Sequence, residues 1–363
     1  MLKKNADKAI FLTVLFLIIL GLVMLVSASS ELGKAKFGDP YYFLKHQSTY
    51  GLAPGILGFL LGLFLPLKFF RRAALPFLLL NVLGLILIFT PLGGHYGTAD
   101  RWLVLGPFNF QPSEALKFTF MLYLAAWLAS RVKNRRTDFW ESFVPFITIS
   151  GIIAFILFSQ PSTGTVLILM LSALTVYFVN GARWSYIAGL IFLGAIAFTA
   201  VIIVTPYRLQ RVTSFIHTDA DPQGSRYHLN QSLIAIGSGG WVGAGYGNSV
   251  SKIRYLPEPI GDSIFSIIAE EFGFIGAIFF ILLYFILVIA GIRGSRGVRN
   301  QFGRLTLVGF STVIGLQAFI HIASVSGLLP MTGVPLPFIS YGGTSLVSFM
   351  TMSGLMINIL RNA

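Results

Sequence analysis

Residues 255–291 read YLPEPIGDSIFSIIAEEFGFIGAIFFILLYFILVIAG, and two features of this stretch decide the fold. From Ile264 to Gly291 it is almost wholly apolar, over more than the roughly 20 residues that cross a hydrocarbon core of about 30 Å. Yet Glu258, Asp262, Glu270 and Glu271 crowd into its first part, in a chain of 363 residues that is 55% hydrophobic and only 11% charged. Acids are expensive at membrane depth, so those placed there face protein or water rather than lipid.

Comparable apolar runs lie near 9–30, 47–67, 73–91, 113–130, 142–159, 164–181, 185–205, 304–329 and 344–361. Lipid offers no partners to unpaired backbone groups, so this pattern predicts an all-α integral membrane protein, a bundle of about ten transmembrane helices. The segments between them are short, and residues 1–363 read as a single domain. If the N-terminus is cytoplasmic, sixteen Lys and Arg fall on the inner side and nine on the outer. Five of those nine belong to one long outer loop, 206–261, between the seventh and eighth spans, and long loops carry little weight in the positive-inside rule. Both termini are therefore expected in the cytoplasm, with the chain in the cytoplasmic membrane.

The net charge of +13 is accounted for by these inner loops and the anionic headgroups they meet. No basic patch is interleaved with exposed aromatics, which argues against nucleic acid as a partner. The apolar run Ala9–Val26 exceeds the roughly 7–15 residues of a signal-peptide core, so it reads as the first helix although VSASS follows it. Without cysteine there are no disulfides and no thiol chemistry.

The polar residues gather on the outer side, in 93–118, 160–165, 206–261 and 329–345. Asp262, after Pro257, Pro259 and Gly261, has two compatible readings: the N-cap of the helix that follows, or a carboxylate at the lip of an outward cavity with its pKa tuned for base chemistry. Glu270 and Glu271 lie two turns further in and read as structural. Glu114 and Lys117 sit three apart, as an i,i+3 ion pair or with the ammonium offered to a phosphate. Arg101, Arg208 and Arg211 add outward-facing cations, and together with one isolated carboxylate they suit an anionic lipid-linked substrate. GAGYGNSVSK (243–252) is no P-loop and reads as a surface loop that needs positive φ angles. The five histidines are scattered and give no metal-ligand spacing.

QPSEALKF (111–118), GNSVSKIRYLPEPIGDSIFSIIAEEFGFIG (247–276) and GLLPMTGVPLPFISYGGTSL (327–346) closely resemble, in order, the motifs of the SEDS family (FtsW, RodA and SpoVE), and lie nearer FtsW than RodA. The resemblance implies a ten-helix enzyme that polymerises lipid II into glycan strands at the outer face, in division or elongation, beside a class B penicillin-binding protein. It puts Asp262 at the family's essential aspartate, Glu258 at the motif's glutamate, and Glu114 and Lys117 at its polar pair. Arg101-Trp102, Arg208, Arg211, Gln231-Ser232, Ser340 and Gly342-Gly343 also fall on family positions. Two departures stand out. Ile260-Gly261-Asp262-Ser263 lacks the usual His-Thr before the aspartate and Phe after it, and Ser162 replaces an expected acid, so no catalytic role goes to Ser162.

In the implied reaction a sugar 4-hydroxyl attacks the anomeric carbon of a lipid-linked disaccharide and displaces undecaprenyl pyrophosphate with inversion. Asp262 is the expected base, and Lys117, Arg101, Arg208 and Arg211 the expected phosphate contacts. Glu114, Glu258, Gln231, Ser232 and Ser340 complete the expected substrate site, and a divalent cation (Mg or Mn) could ride on the substrate phosphates. Two other functions use the same features. A lipid II flippase needs an inner polar vestibule, which these short inner loops do not supply. A scaffold that only activates its transpeptidase leaves Asp262 as a cap.

Overall fold

The computed structural model describes residues 2–96, 99–105, 108–130, 138–160, 162–216 and 225–362. Pro161, the basic 131–137 segment counted on the inner side and the turn DADPQG (219–224) lie outside the described residues.

The chain runs through α1 (Leu2–Phe37), α2 (Tyr42–Gln47), α3 (Ala53–Phe64) and α4 (Leu67–Leu87), then three short strands, β1 (Gly93–Tyr96), β2 (Ala99–Leu105) and β3 (Phe108–Phe110). There follow α5 (Pro112–Leu128), α6 (Val144–Ser159), α7 (Thr163–Val179), α8 (Trp184–Val204), α9 (Pro206–Ile216), α10 (Ser225–Ser238) and α11 (Ser251–Arg254). The last three are α12 (Ile264–Ser295), α13 (Gln301–Val325) and α14 (Gly343–Asn362). Among the described residues seven helices are long and apolar enough to cross a membrane: α1, α4, α6 with its π-helical lead-in, α8, α12, α13 and α14. α7 is a shorter apolar helix.

Burial orders the bundle. In the apolar window of α14 78% of residues are buried, against 6% in α8, so α14 is central and α8 is a lipid-facing outer helix. α14 packs most closely on α3. The backbone carbonyl of Thr351 lies 2.7 Å from where a Cβ on Gly62 would begin, the close approach that small residues allow between membrane helices.

The outer segment 93–110 corrects the all-α expectation. It is an antiparallel sheet in the order β1-β2-β3, with Gly94 opposite Trp102 and Leu103 opposite Phe110. RWLVL is a strand-forming run bounded by turn residues, too short to register in a hydropathy window sized for a span. The long loop 206–261 holds the helices α9, α10 and α11.

Segment 326–342 is irregular, partly buried, and packs against α13. Two α13 side chains at i and i+4 satisfy its carbonyls: Gln317 donates to Pro335 (2.8 Å) and His321 to Val334 (2.8 Å), while Ser324, bonded to the Ile320 carbonyl (2.7 Å), lies 3.2 Å from that of Pro330. Tyr284 donates to Pro337 at 2.5 Å. The prolines have no N–H to place, which suits an irregular backbone at membrane depth.

α12 is broken at Gly273 (φ 66°). The loop before it fills the gap, with Ala244 N donating to Glu270 O (2.9 Å), Gly245 N to Glu271 O (3.0 Å) and Phe274 N to Gly240 O (2.9 Å). Gly243 (φ 83°) packs on the Gly273 backbone, where a side chain on either would collide with main chain.

Candidate functional site

Asp262 sits in a tight turn that leads into α12. Pro257 and Pro259 cannot donate, Glu258 adopts φ 46°, and the N–H groups of Gly261 and Ser263 both reach the Glu258 carbonyl, at 3.1 and 3.2 Å. The N-cap position of α12 is Ser263, and no side chain caps it. The capping reading of Asp262 is therefore corrected: the turn around Glu258 sets the residue one position early. Its carboxylate turns instead to Gly333, where Oδ2 lies 3.1 Å from the place a Cβ would occupy. Gly333 has φ 65°, so glycine meets both needs there.

No hydrogen bond from another described residue reaches the Asp262 oxygens. Burial, reinforced by Glu258, raises its pKa from 3.8 to about 6, against the pull of Arg101 and Arg211. Glu258 is exposed and acts at Asp262 through its charge.

β2 and α9 bring the cations to the same side. Arg101 is within electrostatic reach of Tyr207, Arg211, Asp262 and Arg208. Burial lowers its pKa, and the guanidinium remains charged. Arg211 donates to the Met331 carbonyl (3.0 Å) and lies 4.6 Å from the Tyr207 ring centroid. Arg208, one turn earlier, is buried, donates to the Phe158 carbonyl (2.6 Å) and lies 5.2 Å from the Phe158 ring centroid. Beside it an apolar cleft of about 350 Å³ is lined by Phe155, Phe158, Val204, Thr205 and Arg208. A second of about 380 Å³, sharing Phe158, opens between α6, α7 and α8.

The remaining candidates divide. Ser340 donates to the Gly261 carbonyl and accepts from Leu336 N, both at 2.8 Å, so it braces the Asp262 turn. On α10, Gln231 is half-buried and Ser232 fully buried, its hydroxyl without a partner among the described residues. Lys117 stands apart from the arginines. Its fully buried ammonium is 2.6 Å from Glu114 Oε1 and 2.5 Å from Gln317 Oε1. In this structure Lys117 is part of a polar link, because Gln317 in turn holds the Pro335 carbonyl.

Glu270 and Glu271 are held by other partners, although Glu271 Oε2 is buried without one among the described residues. Glu270 accepts from Ser249 Oγ (2.6 Å) and from the N–H groups of Val250 (3.0 Å) and Ser251 (3.3 Å). Glu271 accepts from Ser27 Oγ (2.5 Å) and Lys252 Nζ (2.7 Å), and Lys252 also reaches the Gly247 carbonyl. The glycine-rich loop is thus pinned by its lysine to α12, in agreement with a structural role. Among the described residues no three His, Asp or Glu side chains converge.

Sequence reading missed Gly333, Tyr207, Gln317 and His228. Only His228 left a signal, since it lies one helical turn before Ser232.

Residues 7–363 match the FtsW/RodA/SpoVE family, described as cell cycle proteins. "Probable peptidoglycan glycosyltransferase FtsW" of Halorhodospira halophila is 40% identical over 347 residues, covering 93% of this chain and 86% of its own. "Stage V sporulation protein E" of Bacillus subtilis is 34% identical over 360 residues, covering 99% and 98%. Among solved structures, a chain of a peptidoglycan synthase complex superposes with a TM-score of 0.78 at 28% identity, over 97% of both chains. The rod shape determining protein RodA of Thermus thermophilus gives 0.70 at 27% identity, over 97% and 94%. A match along nearly the whole chain, on a helical membrane fold, identifies the protein as an FtsW-like member of the FtsW/RodA/SpoVE family and a multi-pass membrane glycosyltransferase.

Proposed function

We propose that the chain polymerises lipid II into glycan strands at the outer face of the cytoplasmic membrane, for cell division or elongation. It crosses the membrane ten times with both termini inside, and works one-to-one beside a class B penicillin-binding protein. The observation that carries this reading is the Asp262 turn: one half-buried carboxylate with no hydrogen bond from another described residue, within electrostatic reach of Arg101 and Arg211. Further support comes from relatives named as peptidoglycan glycosyltransferases and from the likeness to a chain of a peptidoglycan synthase complex.

Asp262 takes the proton of the acceptor sugar's 4-hydroxyl as that oxygen attacks the anomeric carbon of the lipid-linked chain. The bond to pyrophosphate breaks on the opposite face, and Arg101 and Arg211 stabilise the charge that grows on the departing phosphates. Arg208 stands where those phosphates meet the apolar clefts along α8, which suit a polyprenyl chain. Glu258 keeps Asp262 basic, Ser340 braces its turn, and Gln231 and Ser232 lie on the α10 face toward it. Glu114 and Lys117 hold the 330–337 segment in register through Gln317. A divalent cation would arrive on the substrate's phosphates.

A pure scaffold has no use for an uncapped, unpaired carboxylate with raised pKa, and a flippase would need an inner polar vestibule besides. The test is purified chain, alone and with the co-purified transpeptidase, incubated with lipid II and analysed for glycan polymer. Polymer that depends on Asp262 is expected. Lipid II crossing the bilayer without polymer would overturn the reading.

A further inference from the structure

The Asp262 carboxylate has no hydrogen bond of its own, so its aim depends on what holds the residues on either side. On one side Ser340 donates to the Gly261 carbonyl (2.8 Å), and Tyr341 N donates to the Ile260 carbonyl (2.9 Å). On the other side the bracing comes from α10. His228 Nε2 lies 2.5 Å from Ser263 Oγ, and Ser263 Oγ lies 2.8 Å from the Pro257 carbonyl.

The direction of this relay follows from its end. A carbonyl only accepts, so the one hydroxyl hydrogen of Ser263 goes to Pro257, and His228 must be the donor through Nε2–H. Burial and the charge of Arg211 lower the His228 pKa to about 4, so the ring is neutral at physiological pH. It holds the turn without setting another cation beside Asp262. Ser263 is fully buried, and the relay uses both its hydrogen and its lone pair.

We propose that His228 is a positioning residue: by donating to Ser263 it closes the Pro257–Ser263 turn and fixes the direction in which Asp262 presents its carboxylate to the acceptor hydroxyl. The geometry gives the reason. A base must keep its oxygens open for the reactant, so its orientation has to come from neighbours rather than from bonds of its own. Ser340 and His228 bracket it from opposite sides, one through Gly261 and the other through Ser263. The relay is a property of this chain's own pair, a histidine on α10 and a serine directly after the aspartate.

The inference rests on the reading of Asp262 as the base, and its test separates the two. In full-length protein His228→Ala is expected to lower kcat for glycan synthesis on the order of 10- to 100-fold, with KM for lipid II little changed. His228→Gln, whose amide nitrogen falls where Nε2 lies, is expected to recover most of that loss. Ser263→Ala added to His228→Ala should cost little more, because both break one relay. Hydrogen exchange at the Gly261 and Ser263 amides, both bonded to the Glu258 carbonyl, supplies a readout independent of activity. It is expected to quicken in His228→Ala and to return toward wild type in His228→Gln. Unchanged exchange in His228→Ala, or quickened exchange with full kcat, overturns the positioning role while an inactive Asp262→Asn leaves the base reading standing. An active Asp262→Asn overturns both, and the exchange rates still report whether His228 holds the turn.

Discussion

Two acidic sites lie eight residues apart on the same stretch, and they are built in opposite ways. Glu270 and Glu271, inside α12, accept from three donors and two donors respectively. Asp262, in the turn before it, accepts from none among the described residues, and burial raises its pKa to about 6. The acids inside α12 are each held by donors that the protein supplies, even though Glu271 Oε2 is left without one, whereas Asp262 is given none among the described residues and only its neighbours are held. Depth alone does not account for the contrast, although Asp262 is half-buried and Glu270 and Glu271 are fully buried. What separates them is whether the protein supplies the donors or leaves that place to a substrate.

The strongest way to break this contrast is Asp262→Asn. Glycan synthesis by the purified variant is expected to fall by roughly 10²–10⁴, the usual contribution of a general base. Because no cap is lost, Asp262→Ala should fold as well as Asp262→Asn. Stability should move the other way. The folded pKa lies above the ordinary 3.8, so the proton favours the fold, and this contribution is present below about pH 4 and lost as pH rises through about 6. At pH 8 the Asn variant should therefore melt above wild type, and at pH 4 close to it. Substantial polymer from Asp262→Asn would erase the distinction between the two sites.

Glu271→Gln should show the reverse pattern. Removing one partner of a buried pair costs about 3–5 kcal/mol, so the yield of folded protein should drop while activity per folded molecule persists. Thermal melts in detergent and matched-concentration assays check both halves. The Glu114–Lys117 pair tests the same idea on a third site. Glu114→Lys with Lys117→Glu should regain folded protein and part of the activity that either single change loses, short by about 1–2 kcal/mol for the Gln317 contact. A swap that folds yet stays inactive would return Lys117 to the substrate. The smallest effect is in the pH profile. A base with pKa about 6 must lose its proton to act, so synthesis should rise through pH 6 and level off near 7. Glu258→Gln removes a charge that raises this pKa, so the acid limb should move to lower pH by less than about one unit. A limb near pH 4 in wild type would mean that Asp262 is not the titrating group.

The helical membrane fold was legible because apolar runs of this length have few other uses, and the acids of 258–271 were legible because charge is so scarce elsewhere. What escaped reading was whatever depends on contacts distant in sequence. The β2 strand hides in a segment shorter than a span, and the cap at Ser263 rather than Asp262 depends on Glu258 taking a left-handed backbone. Gln317, which shares the Lys117 ammonium with Glu114, lies 200 positions later in the chain. His228 could be placed on a helix but not opposite Ser263, because nothing local records the packing of α10 on α12.

The meeting of Gly243 with Gly273 bears on how the chain enters the membrane. A span interrupted at Gly273 has peptide groups that lipid cannot satisfy, and residues 240–245 satisfy them. Those residues precede the span in the chain and are therefore synthesised first, so the partners that α12 needs at its break exist before the break itself. A bulky residue at Gly243 or Gly273 should therefore lower the amount of protein that reaches the membrane intact, through failure of biogenesis, and leave the turnover of the surviving molecules much less affected.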